Sequence, residues 1–157
     1  MIDDGVVREE VLVDATPELV FEFFVDPTKL PLWLGIAADI DARPGGRFRF
    51  EVVPGEFCEG RYLEVEPPRR VSFTWGWTSE AMGVPPGSSH VNVELVPEGG
   101  GTRVRLTHTG LPTDDSLLLH ADGWSRFFER LGAVATGAEP AAYPDEDPGE
   151  RLRDLKG

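Results

Sequence analysis

Residues 117–135 read LLLHADGWSRFFERLGAVA and carry the longest helical pattern in the chain. Their apolar residues recur at intervals of four and three, as Leu117, Ala121, Trp124, Phe128 and Leu131 show. This spacing places them on one face of an α-helix, and such a face has to be buried. Because the helix follows an almost unbroken run of predicted strands, we expect it to lie across a sheet and to enclose an apolar interior.

The composition indicates one globular domain. The chain has 157 residues, of which 40% are hydrophobic and 27% are charged, and this length suffices to bury a core without metals or disulfides. No apolar run approaches the ~20 residues of a membrane-spanning helix. The first four residues, MIDD, lack the basic and apolar regions of a signal peptide, so we expect a cytoplasmic location.

The charge of the chain narrows the classes of partner. A net charge of -13 and a pI near 4.5 argue against nucleic acid, because its phosphates would be repelled, and they disfavour an anionic membrane surface. The only cysteine, Cys58, cannot form an intramolecular disulfide, and neither Phe57 nor Glu59 offers a cation that would lower a thiol pKa. We therefore expect Cys58 to be a packed strand residue.

The N-terminal part of the chain predicts one strand followed by two short helices. Residues 6–14 alternate between apolar and polar side chains, although the two faces are not cleanly sorted. Thr16 and Pro17 supply an N-cap hydroxyl and a first-turn proline, so a helix begins there and ends at Asp26. A second short helical turn follows, through Leu30.

Residues 36–109 alternate strand-length runs with turns rich in Gly and Pro, such as RPGG at 43–46 and PEGGG at 97–101. This pattern predicts a meander of antiparallel strands with one buried face and one wet face. The loop at 78–89 lies either over a cavity mouth or in an exposed turn. The recurring apolar face comprises Phe48, Phe50, Val52, Val71, Phe73, Trp75, Trp77, Val91, Val93, Leu95, Val104, Leu106 and His108.

The end of the long helix marks the boundary of the predicted domain. Gly137 is a fitting stop, so we assign residues 1–137 to one domain. Residues 138–157 are acidic and rich in proline, with few apolar anchors. We expect them to form a flexible tail, apart from a short helix at 150–155.

Two groups of motifs resemble a known superfamily. EGRYLEVEP at 59–67 with VSFTWG at 71–76 resembles the central strands of the START-like SRPBCC superfamily, in the branch named after the activator of the heat-shock protein 90 ATPase. GTRVRLTHTGL at 101–111 and the segment 123–131 are similar to the penultimate segment and closing helix of that branch. The resemblance covers residues 6–135.

The resemblance implies the helix-grip fold. In this α+β architecture a curved antiparallel sheet of six to seven strands wraps around a long C-terminal helix, and two short helices follow the first strand. It also implies a hydrophobic cavity between the sheet and the helix. It carries over no catalytic residue, and fold alone does not choose among the functions of the superfamily.

The aromatic residues of the predicted sheet and helix exceed what simple packing requires. We expect them to line a ligand cavity of ~300 to 1,000 Å³, and the alternative is a core filled by rings that pack edge to face. The candidate ligand-binding residues are Trp33, Phe48, Phe50, Arg61, Phe73, Trp75, Trp77, His108, His120, Trp124, Phe127 and Phe128.

The polar candidates each have two interpretations. His108 either polarises a ligand carbonyl or anchors the turn that follows its strand, and His120 either contacts a ligand or is a satisfied boundary residue. Arg61 would anchor a ligand carboxylate if it pointed inward, but strand parity places Tyr62 on the opposite face and does not say which face is buried. The three histidines lack metal-ligand spacing, and no phosphate-binding loop is present, so we predict no metal and no cofactor.

The leading hypothesis is a protein that holds a small apolar or amphipathic ligand, such as a lipid, a polyketide or an aromatic molecule. The first alternative is a cyclase or dehydratase of polyketide type, with His108, His120, Arg61 or Tyr62 as acid or base. The second is a co-chaperone-like module whose acidic surface meets a basic protein partner. A homodimer is also compatible with the sequence.

Overall fold

The computed structural model describes residues 1–144 and 146–157. The strands are β1 (Ile2–Asp3), β2 (Val6–Val13), β3 (Ala37–Ile40), β4 (Arg47–Val53), β5 (Glu56–Glu66), β6 (Arg70–Trp75), β7 (Ser89–Glu98) and β8 (Gly101–Thr109). The α-helices are α1 (Pro17–Val25), α2 (Asp114–Ala135) and α3 (Pro148–Lys156), and short 3-10 turns lie at Leu30–Leu32 and Glu80–Met82. This arrangement confirms the predicted α+β class.

The strands form one antiparallel sheet in the order β1-β2-β8-β7-β6-β5-β4-β3. β3 to β8 are the predicted meander, and β2 joins it by pairing with β8. The described sheet has eight strands rather than six to seven because Ile2 and Asp3 fold back onto β2. Asp4 and Gly5 make this turn with φ angles of 53° and 73°, which glycine adopts without strain.

α1 begins at the predicted cap. The Thr16 hydroxyl accepts a hydrogen bond from the backbone N–H of Leu19, and Pro17 occupies the first helical position. The last carbonyls of a helix lack partners within it. Here the Trp33 indole donates to the carbonyl of Phe23 at 2.9 Å, and the Tyr62 hydroxyl donates to that of Phe24 at 2.7 Å. The bond from Tyr62 joins α1 to β5, and the bond from Trp33 joins it to the end of the Leu30–Leu32 turn.

α2 begins at Asp114, because Thr113 and Ser116 form a reciprocal capping box. The observed buried face differs in part from the predicted stripe, since Ala121 is only half-buried while His120 and Phe127 are buried. The full buried face consists of Ser116, Leu117, His120, Trp124, Phe127, Phe128, Leu131 and Ala135.

The core between the sheet and the helices is aromatic. Phe48 and Phe73 stack with their ring centroids 4.0 Å apart, and Trp75 of the sheet meets Trp124 of α2 at 4.8 Å. Cys58 is buried as predicted, and burial raises the pKa of its thiol well above the ordinary value. The inner face of the sheet is therefore covered by rings from α2.

The C-terminal segment contains a helix that packs on α2. In α3, the Arg151 guanidinium donates two hydrogen bonds to the Asp122 carboxylate of α2, at 2.8 and 2.6 Å. Lys156 pairs with Asp115 at 2.8 Å. These contacts place part of residues 138–157 against the domain, and α3 includes the predicted helical residues 150–155.

Candidate functional site

The structure brings eleven of the twelve predicted ligand-binding residues into the core and leaves one outside. The buried residues are Trp33, Phe48, Phe50, Phe73, Trp75, Trp77, His108, His120, Trp124, Phe127 and Phe128. Arg61 is exposed, and its guanidinium donates to the carbonyl of Gly45 at 3.0 Å. The sequence left the direction of Arg61 open, and in the structure strand alternation turns Tyr62 inward and Arg61 outward.

The space that the sequence predicts between sheet and helix is almost filled. Its remaining void has a volume of about 30 Å³. The void is lined by Trp75, Trp77, Met82, Leu119, His120, Gly123, Trp124, Phe127 and Tyr143. A void of this size holds about one or two water molecules, so a ligand requires a wider opening.

A chain of hydrogen bonds runs from α2 through His108 to the sheet. The Trp124 indole N–H donates to Nδ1 of His108 at 3.0 Å. Because Nδ1 accepts, the proton of the neutral imidazole is on Nε2, which lies 2.8 Å from Oγ of Ser89. The Ser89 hydroxyl donates in turn to the carbonyl of Trp75 at 2.8 Å. Both nitrogens of His108 are therefore occupied.

His120 has an equally complete set of partners. The Trp77 indole N–H donates to Nε2 of His120 at 3.0 Å. The neutral ring then carries its proton on Nδ1, which donates to the carbonyl of Ser116 at 2.7 Å. The structure thus leaves neither nitrogen of His120 free for another molecule.

The two imidazoles lie close together and are both neutral at pH 7. Their ring centroids are 5.0 Å apart. Burial, and next the charge of His120 and then that of His90, hold the pKa of His108 well below 6.5. Burial lowers the pKa of His120 to about 4, against the opposing effect of the hydrogen bond to Ser116. A proton on either ring would be poorly solvated and would break a hydrogen bond.

One polar atom in this core has no partner. Nε1 of Trp75 is buried and makes no hydrogen bond to any described residue. The Trp75 ring borders the void and lies 5.7 Å from the ring of His108. Since buried polar groups are nearly always paired, this donor is a feature that packing alone does not explain.

A wider cleft adjoins the void. Its volume is about 350 Å³, and it lies among the β4–β5 hairpin, the Glu80–Met82 turn and the C-terminal segment. The cleft shares Trp77, Met82 and Tyr143 with the void. Tyr143 is half-buried, and its ring stacks on that of Phe127 with centroids 4.8 Å apart. This tyrosine therefore lies where the cleft and the void meet.

The family model described as Activator of Hsp90 ATPase homolog 1-like protein matches residues 14–136. This chain belongs to that family. Among the curated proteins, none matches this AHSA1-like chain.

Solved structures share the fold of this AHSA1-like chain. The AHSA1-like protein of Rhizobium etli is 40% identical, with a TM-score of 0.70 over 90% of this chain and 88% of its own. CalU16 from Micromonospora echinospora is 26% identical, with a TM-score of 0.63 over 96% of this chain and 84% of its own. The agreement confirms the predicted resemblance and the helix-grip fold.

DynU16, a protein in the dynemicin biosynthetic locus, is also similar to the AHSA1-like chain. It is 25% identical, with a TM-score of 0.77 over 90% of this chain and 51% of its own. This chain therefore spans about half the length of DynU16.

The described part of the AHSA1-like chain has neither a metal-binding cluster nor a membrane-spanning helix. Within residues 1–144 and 146–157, no three His, Cys, Asp or Glu side chains are placed to hold a metal ion. In the same residues, no helix combines the length and apolar character of a membrane span.

Sequence reasoning missed several residues of the site in this AHSA1-like chain. Met82 lies in the loop at 78–89, where the pattern allowed either a cavity mouth or an exposed turn. Tyr143 is the only aromatic residue of 138–157, and that isolation was a signal that it packs against something. Ser89 partners His108 through cross-strand register, which the sequence does not display.

Proposed function

We propose that this AHSA1-like chain binds a small planar aromatic molecule, such as a polyketide, between its sheet and α2. One observation carries the proposal. The Trp75 indole N–H is a buried donor without a described partner, and the ring that bears it borders the void. A ligand with a carbonyl or another acceptor oxygen supplies the partner that the free protein lacks.

The neighbouring polar groups favour a ligand acceptor over a ligand donor. Nε2 of His120 and Nδ1 of His108 already accept from two indoles, so they offer no free nitrogen to a donor. An unpaired buried donor destabilises a protein by about 1 to 3 kcal/mol. A ligand oxygen bonded to Trp75 would recover part of this free energy.

The walls of the site favour a flat ring. Trp77, Trp124 and Phe127 all border the void, and aromatic pairs are stabilised by about 0.5 to 1.5 kcal/mol beyond the area that they bury. The ligand would extend from the void into the 350 Å³ cleft, whose volume lies within the ~300 to 1,000 Å³ of small-molecule pockets. The similarity to DynU16, a protein in a biosynthetic locus, supports a ligand of biosynthetic type.

A matched pair of probes tests the proposal. Fluorene and fluorenone are planar tricyclic molecules of similar shape, and fluorenone adds one carbonyl oxygen. We expect fluorenone to bind the wild type about tenfold more tightly, which corresponds to about 1.4 kcal/mol for one hydrogen bond. Trp75→Phe should remove this preference, as measured by the two dissociation constants in titration calorimetry.

Trp33→Phe is the control for the loss of an indole. Trp33 is equally buried but does not line the void, and its N–H is bonded to the carbonyl of Phe23. This variant should keep the preference for fluorenone. The proposal fails if neither probe binds, or if Trp75→Phe retains the wild-type preference.

One observation favours the cyclase or dehydratase as a second candidate function. His120 borders the void, and a second imidazole lies 5.0 Å from it. An acid–base role would require one ring to exchange an internal hydrogen bond for the substrate. His120→Gln should then abolish turnover of a polyketide substrate, whereas a binding protein shows no turnover with either side chain.

The co-chaperone-like module and the homodimer stay predictions. Size-exclusion chromatography with light scattering measures the molar mass and so tests the homodimer.

A further inference from the structure

Tyr143 lies flat on Phe127. The ring planes are inclined by only 9°, with centroids 4.8 Å apart, whereas the other aromatic neighbours of Phe127 meet it at steep angles. Phe127 belongs to the buried face of α2, and Tyr143 belongs to the segment between α2 and α3. The outer face of Phe127 is thus shaped to receive a planar ring.

The same tyrosine stands where a ligand would enter. It lines the cleft and the void together with Trp77 and Met82. Because Trp75 and Phe127 border one void, a flat molecule bonded to the Trp75 N–H would extend over the face of Phe127. Tyr143 occupies that position in the free protein.

Besides the Tyr143 ring, polar contacts of described residues near the surface hold this segment in place. Arg151 and Asp122 form a two-bond ion pair between α3 and α2, and their side chains are 25% and 18% exposed. Lys156 and Asp115 pair at 2.8 Å and are about half exposed. The Arg130 guanidinium also donates to the carbonyl of Ala141. A solvent-exposed pair such as Lys156 with Asp115 contributes typically ~0 to 1 kcal/mol, so the two-bond pair of Arg151 with Asp122 is the polar contact that a displacing ligand chiefly has to overcome.

We infer that the face of Phe127 under Tyr143 is a subsite for a planar aromatic ring of the ligand, and that Tyr143 occupies this subsite until the ligand displaces it. The inference rests on the proposed function, because the ring belongs to the ligand that accepts from Trp75. The C-terminal segment then acts as a competitor within the chain. The apparent affinity equals the intrinsic affinity multiplied by the fraction of free molecules in which the segment is already displaced.

Three full-length variants test the subsite with fluorenone as the probe. Tyr143→Ala removes the competing ring and should bind fluorenone about fivefold to tenfold more tightly than the wild type. Tyr143→Phe keeps the ring and removes only the hydroxyl, so its dissociation constant should match the wild type. Trp75→Phe combined with Tyr143→Ala should keep the gain from Tyr143→Ala but lose the preference for fluorenone over fluorene.

A second pair of variants tests the contact that holds the segment. Arg151→Ala breaks the ion pair with Asp122 and should tighten fluorenone binding in the same direction as Tyr143→Ala. Arg153→Ala removes the same charge from the same helix. Because Arg153 is exposed and forms no ion pair with a described residue, this control should bind as the wild type does.

Hydrogen exchange of the backbone amides of α3, measured by mass spectrometry, directly reports displacement of the C-terminal segment by the ligand. In the wild type, saturating fluorenone should speed exchange of the backbone amides of Pro148–Lys156. Equal affinity of the wild type and Tyr143→Ala, with unchanged exchange in α3, overturns the inference while the proposed function stands. Absence of binding to every variant overturns the proposed function instead.

Discussion

The indole N–H of Trp124 donates to Nδ1 of His108 across 3.0 Å, and this bond joins the closing helix to the last strand of the sheet. It fixes the imidazole tautomer, because the nitrogen that accepts cannot also carry the proton. Nε2–H of His108 therefore donates to the Ser89 hydroxyl, which donates in turn to the carbonyl of Trp75. The ring nitrogens of both histidines are fully paired only when both imidazoles are neutral.

Stability should depend on pH through these histidines. Burial lowers the pKa of His120 from its ordinary value of 6.5 to about 4 in the folded protein, and burial also holds the pKa of His108 well below 6.5. Well above pH 6.5 both rings are neutral in the folded and in the unfolded protein, so they add no pH dependence to the free energy of unfolding. Below it the unfolded chain binds protons that the folded chain does not, and stability falls by up to ~1.4 kcal/mol per pH unit for each ring.

The measurement is the free energy of unfolding in urea between pH 7 and pH 4.5. His120→Gln keeps an acceptor for Trp77 and a donor for Ser116 but does not titrate. This variant should lose about half of the slope between pH 6.5 and 4.5. An unchanged slope would contradict a lowered pKa at His120.

Trp75 and Trp124, whose rings contact each other in the core, should respond differently to the same substitution. Trp75 and Trp124 are each 1% exposed, but only the N–H of Trp124 has a partner. Trp124→Phe leaves Nδ1 of His108 without a donor, whereas Trp75→Phe removes an N–H that is already unpaired. We expect Trp124→Phe to destabilise by about 1 to 3 kcal/mol more than Trp75→Phe, as measured by urea unfolding. Equal losses would show that the Trp75 donor has a partner in solution.

Alanine substitutions at two glycines of α2 distinguish an effect on stability from an effect on ligand binding. A Cβ at Gly123 or at Gly132 meets no atom within 4 Å, and only Gly123 lines the void. Both Gly→Ala variants should stabilise the protein by roughly 0.5 to 1 kcal/mol, because alanine favours a helix interior. Gly123→Ala should weaken fluorenone binding, while Gly132→Ala should leave it unchanged. Equal dissociation constants would exclude the void from the binding site.

Gly76, between Trp75 and Trp77, has no room for a side chain. A Cβ at Gly76 would lie 1.8 Å from the carbonyl oxygen of Pro85. Gly76→Ala has to move the loop that carries Met82, and we expect a loss of more than ~2 kcal/mol in urea unfolding. Gly132→Ala serves as the control, and a loss within ~0.5 kcal/mol for Gly76→Ala would contradict this packing.

The elements of the fold could be predicted because their patterns are local. The cap at Thr16 and the spacing of Leu117, Trp124 and Phe128 each depend on neighbouring residues only. The pairing of β2 with β8 is not local, and the sequence patterns did not predict it. The two-residue strand at Ile2 was missed because it is too short to show a period.

The site could be predicted in its apolar part and not in its contacts. Periodicity placed Trp75 and Trp124 on facing surfaces. It could not place Arg61, because alternation gives two equivalent faces until the other strands are known. Tyr143 lies in a segment without a period, and the bond from His108 to Ser89 depends on register between strands far apart in sequence.

The pairing of β2 with β8 also constrains how the chain reaches its native state. Val7 lies opposite His108, so the first long strand has no partner other than the two-residue β1 until the last strand has been made. Until then the β8-facing edge of Val6–Val13 is open to pairing with other chains. Its charged residues Arg8, Glu9 and Glu10 oppose such pairing. Because contacts between distant segments slow folding, the closure of β2 onto β8 is expected to be a late step in folding.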